Sequence, residues 1–294
     1  MPTLVLASPA KINLTLEVLA RRADGYHGVR TLIAPLDLCD EIRIEPSSRF
    51  VFSCNVAELQ SHDNLAVAAL RALGDLPPVA LHLEKRIPVQ AGLGGGSSNA
   101  AAILRAAMDG ALGAPQRRDW LRVARSLGSD VPFFLAGTAA LVEGTGERVT
   151  PAGALPGWHA LVIKPPVAVS TADAYRELDG ADRPSRTRKG CVSIAALEAL
   201  QRGEFERVEA LLQNDFQEPI AQRHPEIRMT LEALREAGAR NALLAGSGAC
   251  VFALAATREE LDALASRVRL ADNYLRFSAR FAKTPQWREP CSTP

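Results

Sequence analysis

"KRIPVQAGLGGGSSNAAAILRAAMD", Lys85 to Asp109, sets four glycines, two serines and an asparagine directly before an alanine-rich apolar run. Glycine is costly where a chain needs regular structure, so a cluster marks backbone that turns tightly or lets something approach closely. The preceding "VALHLEKRI" reads as a strand. After the cluster, Ile103, Leu104, Ala107, Met108, Ala111 and Leu112 recur at helical spacing, with Gly113 as the expected stop. A helix start leaves N–H groups unpaired and carries the positive end of the dipole, which suits a phosphate. Ser97, Ser98 and Asn99 add donors or a cap at that entrance. A tight strand-to-helix turn is the competing explanation for the glycines. Two familiar phosphate loops do not fit. A Walker loop ends in Gly-Lys-Ser/Thr, but Gly96 is followed by Ser97 and Ser98. The dinucleotide fingerprint, started at Gly92, meets Ser97 where its third glycine belongs.

A loop with no lysine of its own must draw positive charge from elsewhere, and Lys11 and Lys85 are the candidates. Lys11 lies in "KINLTLEV", where Ile12, Leu14, Leu16 and Val18 alternate with Lys11, Asn13, Thr15 and Glu17. The polar set reads either as a solvated strand face or as part of a site. Asp130 in "LGSDVPFF" reads either as a turn or cap residue or as a carboxylate entering a buried region. Pro132 biases Val131 toward extended geometry.

Working outward, "VRTLIAPL" and "EIRIEP" read as two further strands, "DNLAVAALRAL" and "RRDWLRVARSL" as helices, and "TAALVEGTGERVTPA" as a hairpin. "PAGALPGW", 151–158, is the best candidate linker, dividing the chain into domains 1–154 and 155–294. Beyond it come a strand in "HALVIKP" and helices in "STADAYREL", "SIAALEALQRG", "FERVEALLQN" and "PEIRMTLEALREAGA". Two apolar runs then flank "GSGA", before a helix in "REELDALASRV" and a strand around "NYLRFSARFA". Strands and helices are mixed without strict alternation, which predicts an α+β protein rather than a doubly wound sheet. The closing "PQWREPCSTP" has no periodicity and is expected to trail off the surface.

The 294 residues are 47% apolar and 23% charged, as in soluble globular proteins. With 34 Lys and Arg against 33 Asp and Glu, no global field draws the molecule to nucleic acid or an anionic membrane. Cys39, Cys54, Cys191, Cys250 and Cys291 form no CxxC pair, which suits a reduced compartment without a disulfide frame or structural metal. The N-terminus has no basic leader and Lys11 interrupts its apolar run, and no segment approaches a membrane span. A cytoplasmic protein is the expectation.

Taken together, "SPAKINLTLEV", "PVQAGLGGGSSNAAA" and "LLAGSGACVFAL" resemble, in order, the three signatures of the GHMP kinase superfamily of small-molecule kinases. "RRADGYHGVRTL", "LGSDVPFF" and "EGTGE" make the chain most similar to the branch acting on a cytidine-diphosphate-linked methylerythritol, in non-mevalonate isoprenoid synthesis. The likeness runs from about Ser8 to Phe281 and is weak in "DGADRPSRTRKG". It implies a ribosomal S5 domain 2-like N-terminal domain and a ferredoxin-like C-terminal domain with the active site between them. It also implies ATP with Mg²⁺, and a monomer or weak homodimer. By this resemblance Pro88, Val89, Gln90, Ala91, Gly92, Leu93, Gly94, Gly95, Gly96, Ser97 and Ser98 hold the ATP phosphates, and Ser98 is a metal ligand. Asp130 is the general base and Lys11 its paired cation. Tyr26 and Tyr175 sandwich the cytosine, His27 bonds its edge, and Asn13 and Lys85 contact the sugar alcohol and diphosphate. The "GSG" turn is either a plain strand connection or a wall of the site mouth. The alternatives are a GHMP kinase for homoserine, mevalonate or a sugar, and a non-catalytic nucleotide-binding module.

Overall fold

The computed structural model describes residues 2–21, 25, 27–74, 76–113, 119–180 and 191–282. Its first half contains β1 (Leu4–Arg21), β2 (His27–Pro46), β3 (Val51–Cys54), α1 (Leu65–Ala72), β4 (Val79–Glu84) and α2 (Gly95–Met108). Then come α3 (Trp120–Leu127), α4 (Val131–Ala136), β5 (Ala140–Gly144) and β6 (Arg148–Pro151). The second half holds β7 (His159–Lys164), α5 (Thr171–Gly180), α6 (Val192–Arg202), α7 (Phe205–Ala210), β8 (Gln213–Asn214) and α8 (Gln217–Arg223). It closes with α9 (Pro225–Glu236), β9 (Leu243–Leu244), β10 (Val251–Ala255), α10 (Arg258–Arg267) and β11 (Leu275–Arg280). The class is α+β, as the pattern predicts.

β1 and β2 form one long antiparallel pair at the centre of a sheet ordered β3-β4-β2-β1-β8, with β5 and β6 continuing from the first part of β2. The two strands expected in "VRTLIAPL" and "EIRIEP" are this single strand, which runs through Pro35. Proline is tolerated there because β5 pairs with β2 only through Ile33 and β4 only from Glu41. The missing N–H thus falls where no ladder partner needs it. The Pro35 carbonyl, on the same edge, accepts the Ala282 N–H at 2.9 Å.

Among the described residues three apolar clusters form the interior. One packs α1, α2, α3 and α4 on one face of the large sheet, with Ile103, Leu104 and Phe133 at its centre. A second joins Ile12, Leu14 and Leu32 of that sheet to Ala160, Val162 and Phe252 of the other sheet, ordered β11-β7-β10-β9. The third takes the alternate residues Leu161 and Ile163 against α5, α8, α9 and α10. Each fully buried Leu or Ile contributes on the order of 1.5–3 kcal/mol. The proposed linker is part of this interior: Ala152, Leu155 and Trp158 sit in the second cluster. It connects the two sheets as a packed corner, not a solvated tether.

Two helix ends differ from expectation. α2 stops at Met108, because Gly110 takes the left-handed conformation at φ 77°. The Gly110 and Ala111 N–H groups close back on the Ala107 and Ala106 carbonyls, a Schellman ending that stops the helix four residues before the stripe's last member, Leu112. Leu112 still packs into the first cluster from the turn. Val131, expected extended before Pro132, opens α4 instead. Proline in a first helical turn sacrifices no helix hydrogen bond, and Val131, Phe133 and Phe134 are buried by it.

Candidate active site

A cleft of about 1310 Å³ opens between the halves, lined by the 88–97 loop, Lys11, Asn13, Asp130, the 145–146 turn and the 246–248 turn. Tyr175, His27, Asp179 and Phe216 line it as well.

The glycine loop forms one wall. Gly94, at φ 70°, is the N-cap of α2, and none of Ser97, Ser98 or Asn99 caps it. The Ser98 N–H already bonds the Gly94 carbonyl at 2.9 Å, so the amides of Gly95, Gly96 and Ser97 are the first-turn donors. Backbone bonds hold the loop: the Lys11 N–H donates to the Leu93 carbonyl at 3.0 Å, the Cys250 N–H to the Ala91 carbonyl at 3.1 Å and the Ala249 N–H to the Gln90 carbonyl at 3.4 Å. A Cβ on Gly92 would lie 1.9 Å from the Ala245 carbonyl oxygen. The "GSG" turn therefore sits directly against the glycine loop, and only glycine permits that approach.

Facing the loop, Lys11 Nζ stands 3.8 Å from Asp130 Oδ2, with the lysine side chain 5% exposed and the aspartate 37%. Asp130 occupies the N-cap position of α4 yet makes no capping bond, which leaves its carboxylate to the cleft. Burial pushes the Lys11 ammonium below its ordinary range, and Asp130 pulls it back up. The polar face of β1 is thus not solvated: Lys11, Asn13 and Thr15 are all buried.

At the other end, the His27 and Tyr175 rings stack with centroids 5.7 Å apart and planes 18° from parallel. His27 Nδ1 donates to the Leu19 carbonyl at 3.0 Å, and Nε2 lies 3.0 Å from Asp179 Oδ1. Phe216 packs edge-on against Tyr175 at 4.9 Å. Tyr26 lies outside the described residues.

Two expected ligands, Ser98 and Lys85, have side chains engaged elsewhere, while Asn13 lines the cleft as expected. Ser98 is 1% exposed and its hydroxyl accepts from Ser8 at 2.8 Å, turned away from the cleft, so it is not poised as a metal ligand. Ser97 is the serine on the cleft wall. Lys85 reaches the cleft edge, but its ammonium is bound by the fully buried Asp40 and by Asn99 Oδ1 at 3.2 Å. Asp40 also accepts the Arg86 and Ile87 N–H groups at 2.8 Å, so the pair anchors the strand leading into the loop. A buried pair broken by removal of one partner typically costs about 3–5 kcal/mol, which marks Lys85 as structural. Asn13 lines the cleft with its amide engaged by Lys11 and Thr31.

Sequence reasoning missed Phe216, Thr31 and Ser129. Phe216 carried no motif, while Thr31 and Ser129 stand inside "RRADGYHGVRTL" and "LGSDVPFF" without being singled out there. Among the described residues no group of three or more His, Cys, Asp and Glu is set to hold a metal. None of their helices is long and apolar enough to cross a membrane.

Residues 64–138 match the GHMP kinases N terminal domain and residues 196–272 the GHMP kinases C terminal domain. The 4-diphosphocytidyl-2-C-methyl-D-erythritol kinase of Deinococcus radiodurans is 41% identical over 88% of this chain and 86% of its own length. That of Pelotomaculum thermopropionicum is 38% identical over 92% and 96%. A crystal structure of 4-(cytidine 5'-diphospho)-2C-methyl-D-erythritol kinase superposes with a TM-score of 0.75 at 37% identity, covering 95% of this chain and 100% of that one. Homoserine kinase from Cytophaga hutchinsonii shares the fold at a TM-score of 0.71 and 17% identity, with 97% and 96% covered.

Proposed function

Since the chain belongs to the 4-diphosphocytidyl-2-C-methyl-D-erythritol kinase family of GHMP kinases, we propose that it phosphorylates the 2-hydroxyl of that cytidyl alcohol with ATP, for isoprenoid precursor synthesis. GHMP kinases are ATP-dependent phosphotransferases. The observation that carries the reading is the Lys11–Asp130 pair, 3.8 Å apart in the cleft beside the α2 N-terminus.

Phosphoryl transfer has a loose transition state, so the protein must chiefly position groups and neutralise charge. The 88–97 loop holds the triphosphate through the N–H groups of Gly95, Gly96 and Ser97, where the helix dipole favours anions. Asp130 accepts the proton of the substrate hydroxyl as it attacks the γ-phosphorus. Lys11 offsets charge on the attacking oxygen and on the γ-phosphate. The His27–Tyr175 stack supplies a flat apolar surface and a polar edge for cytosine. Mg²⁺ fits as an ion carried in by the nucleotide, since such ions take one or two protein oxygens and fill the rest with phosphate and water. The Ser97 hydroxyl, on the cleft wall beside the α2 N-terminus, is an oxygen that would be available to it. When bound, the ion neutralises phosphate charge. The domain boundary belongs near 154/155, where the chain passes between sheets. A reduced, cytoplasmic setting is the matching compartment.

Turnover with the cytidyl alcohol, and none with homoserine, mevalonate or galactose, is the expected result of a coupled ATP-consumption assay. Asp130→Asn should keep ATP binding and lower kcat by about 10²–10⁴-fold. Turnover of another alcohol in place of the cytidyl one would replace the substrate assignment.

A further inference from the structure

We propose that Thr31, outside the reacting groups, is a positioning residue that sets the orientation of Lys11 through Asn13. The inference rests on the catalytic reading of Lys11 and deepens it.

The argument follows from donors and acceptors. A hydroxyl carries one proton. Thr31 Oγ1 lies 2.6 Å from the Thr15 carbonyl oxygen, which can only accept, so the hydroxyl proton is committed there. Thr31 Oγ1 can then only accept from Asn13, 2.8 Å away, and Asn13 must present its amide nitrogen. With Nδ2 fixed, Oδ1 points the other way and meets Lys11 Nζ at 2.7 Å. The ammonium has donors only, so the match is correct in this one amide orientation and wrong in the flipped one. Lys11, Asn13 and Thr31 are each at most 4% exposed, so a lost partner leaves a largely desolvated polar group poorly compensated.

The backbone explains why these three meet. β1 pairs Asn13 with Ile33, but Thr15 with Leu32, because a bulge inserts one residue between them. That insertion brings Thr31 beside Asn13 while its hydroxyl reaches Thr15. Among the described residues, Asp130 from the start of α4 is the charged group set against Lys11. The elements otherwise packed on it, the phosphate loop and the 246–248 turn, bring Gly94 and Gly246 close to it. The Asn13 carbonyl is therefore the neutral acceptor that helps hold the proton and direction of Lys11.

Thr31→Val keeps the shape and removes the hydroxyl, whereas Thr31→Ser keeps the hydroxyl. The expected result for Thr31→Val is a kcat lowered about 10-fold at unchanged KM for ATP. The alkaline fall of its kcat/KM should also move to lower pH, because a freed amide no longer reliably offers Lys11 an acceptor. Thr31→Ser should restore both. If Thr31→Val does not fold, Thr31→Ala carries the same two readouts. A wild-type kcat and alkaline limb in the hydroxyl-less variant, or equal loss in Thr31→Ser, overturns the proposal. Lys11→Met, run beside them, separates the levels. If it retains turnover, the catalytic reading of Lys11 has failed; if it is inactive while Thr31→Val is normal, only the role of Thr31 has.

Discussion

Lys11 illustrates how one residue is made useful by opposing forces. Its ammonium is nearly buried, which favours losing the proton, and Asp130 favours keeping it. Burial dominates, so the proton leaves more easily than from an ordinary lysine, whose value is 10.5. On the proposed mechanism the charged form serves transfer, so kcat/KM should fall with rising pH through a pKa below 10.5, and a pH profile of kcat/KM reads this for the free enzyme. A fall only above 10.5 would detach the alkaline limb from Lys11. In Lys85 the same residue type has another fate: its charge is spent on a fully buried carboxylate. Sequence spacing brought both lysines to notice but could not tell them apart, because that difference lies in Asp40, 45 positions away.

At the scale of elements, the site depends on short segments held by neighbours. The β5–β6 turn presses on the segment carrying Asp130. Gly146, at φ 108°, would place a Cβ 2.4 Å from the Ser129 carbonyl oxygen. The Thr145 hydroxyl donates to the Glu147 carboxylate at 2.9 Å, which closes the turn. Gly146→Ala should therefore displace Ser129 and Asp130, lowering kcat by roughly 100-fold with little change in nucleotide affinity. Steady-state kinetics beside a nucleotide-binding titration would check it. The hairpin was legible from its glycines and alternation, and so were α1, α9 and α10, whose apolar residues repeat at helical spacing. α4 was not: six residues around a proline carry too little period to outweigh local bias, and burial of its phenylalanines decides the conformation. α8 and the two-residue strands β8 and β9 were equally short and equally silent.

The whole molecule is built, among the described residues, on three clusters, the second spanning both sheets, so the cleft floor is continuous with the core. Cys250 shows the consequence. It is wholly buried behind the phosphate loop, and burial pushes its thiol up to about 12. Cys54 and Cys191 are partly exposed. Cys291 lies outside the described residues. In native protein a thiol-alkylating reagent should modify Cys54 and Cys191 and leave Cys250 until unfolding, as peptide mass spectrometry would show. Early labelling of Cys250 would mean that the loop and the 246–248 turn separate readily.

Composition, period and ordered motifs were enough to determine the α+β class and the glycine-rich wall, and, through the family resemblance, to single out Lys11 and Asp130, which the fold brings together on the cleft. Those features are local: a helix start, an alternation and a glycine are written in adjacent residues. The fates of Lys85, Ser98 and Asn13 were decided only in the folded chain, as was the stacking of His27 on Tyr175. Each depends on which distant partner occupies a buried hydrogen-bonding position, and burial makes that partner obligatory rather than optional.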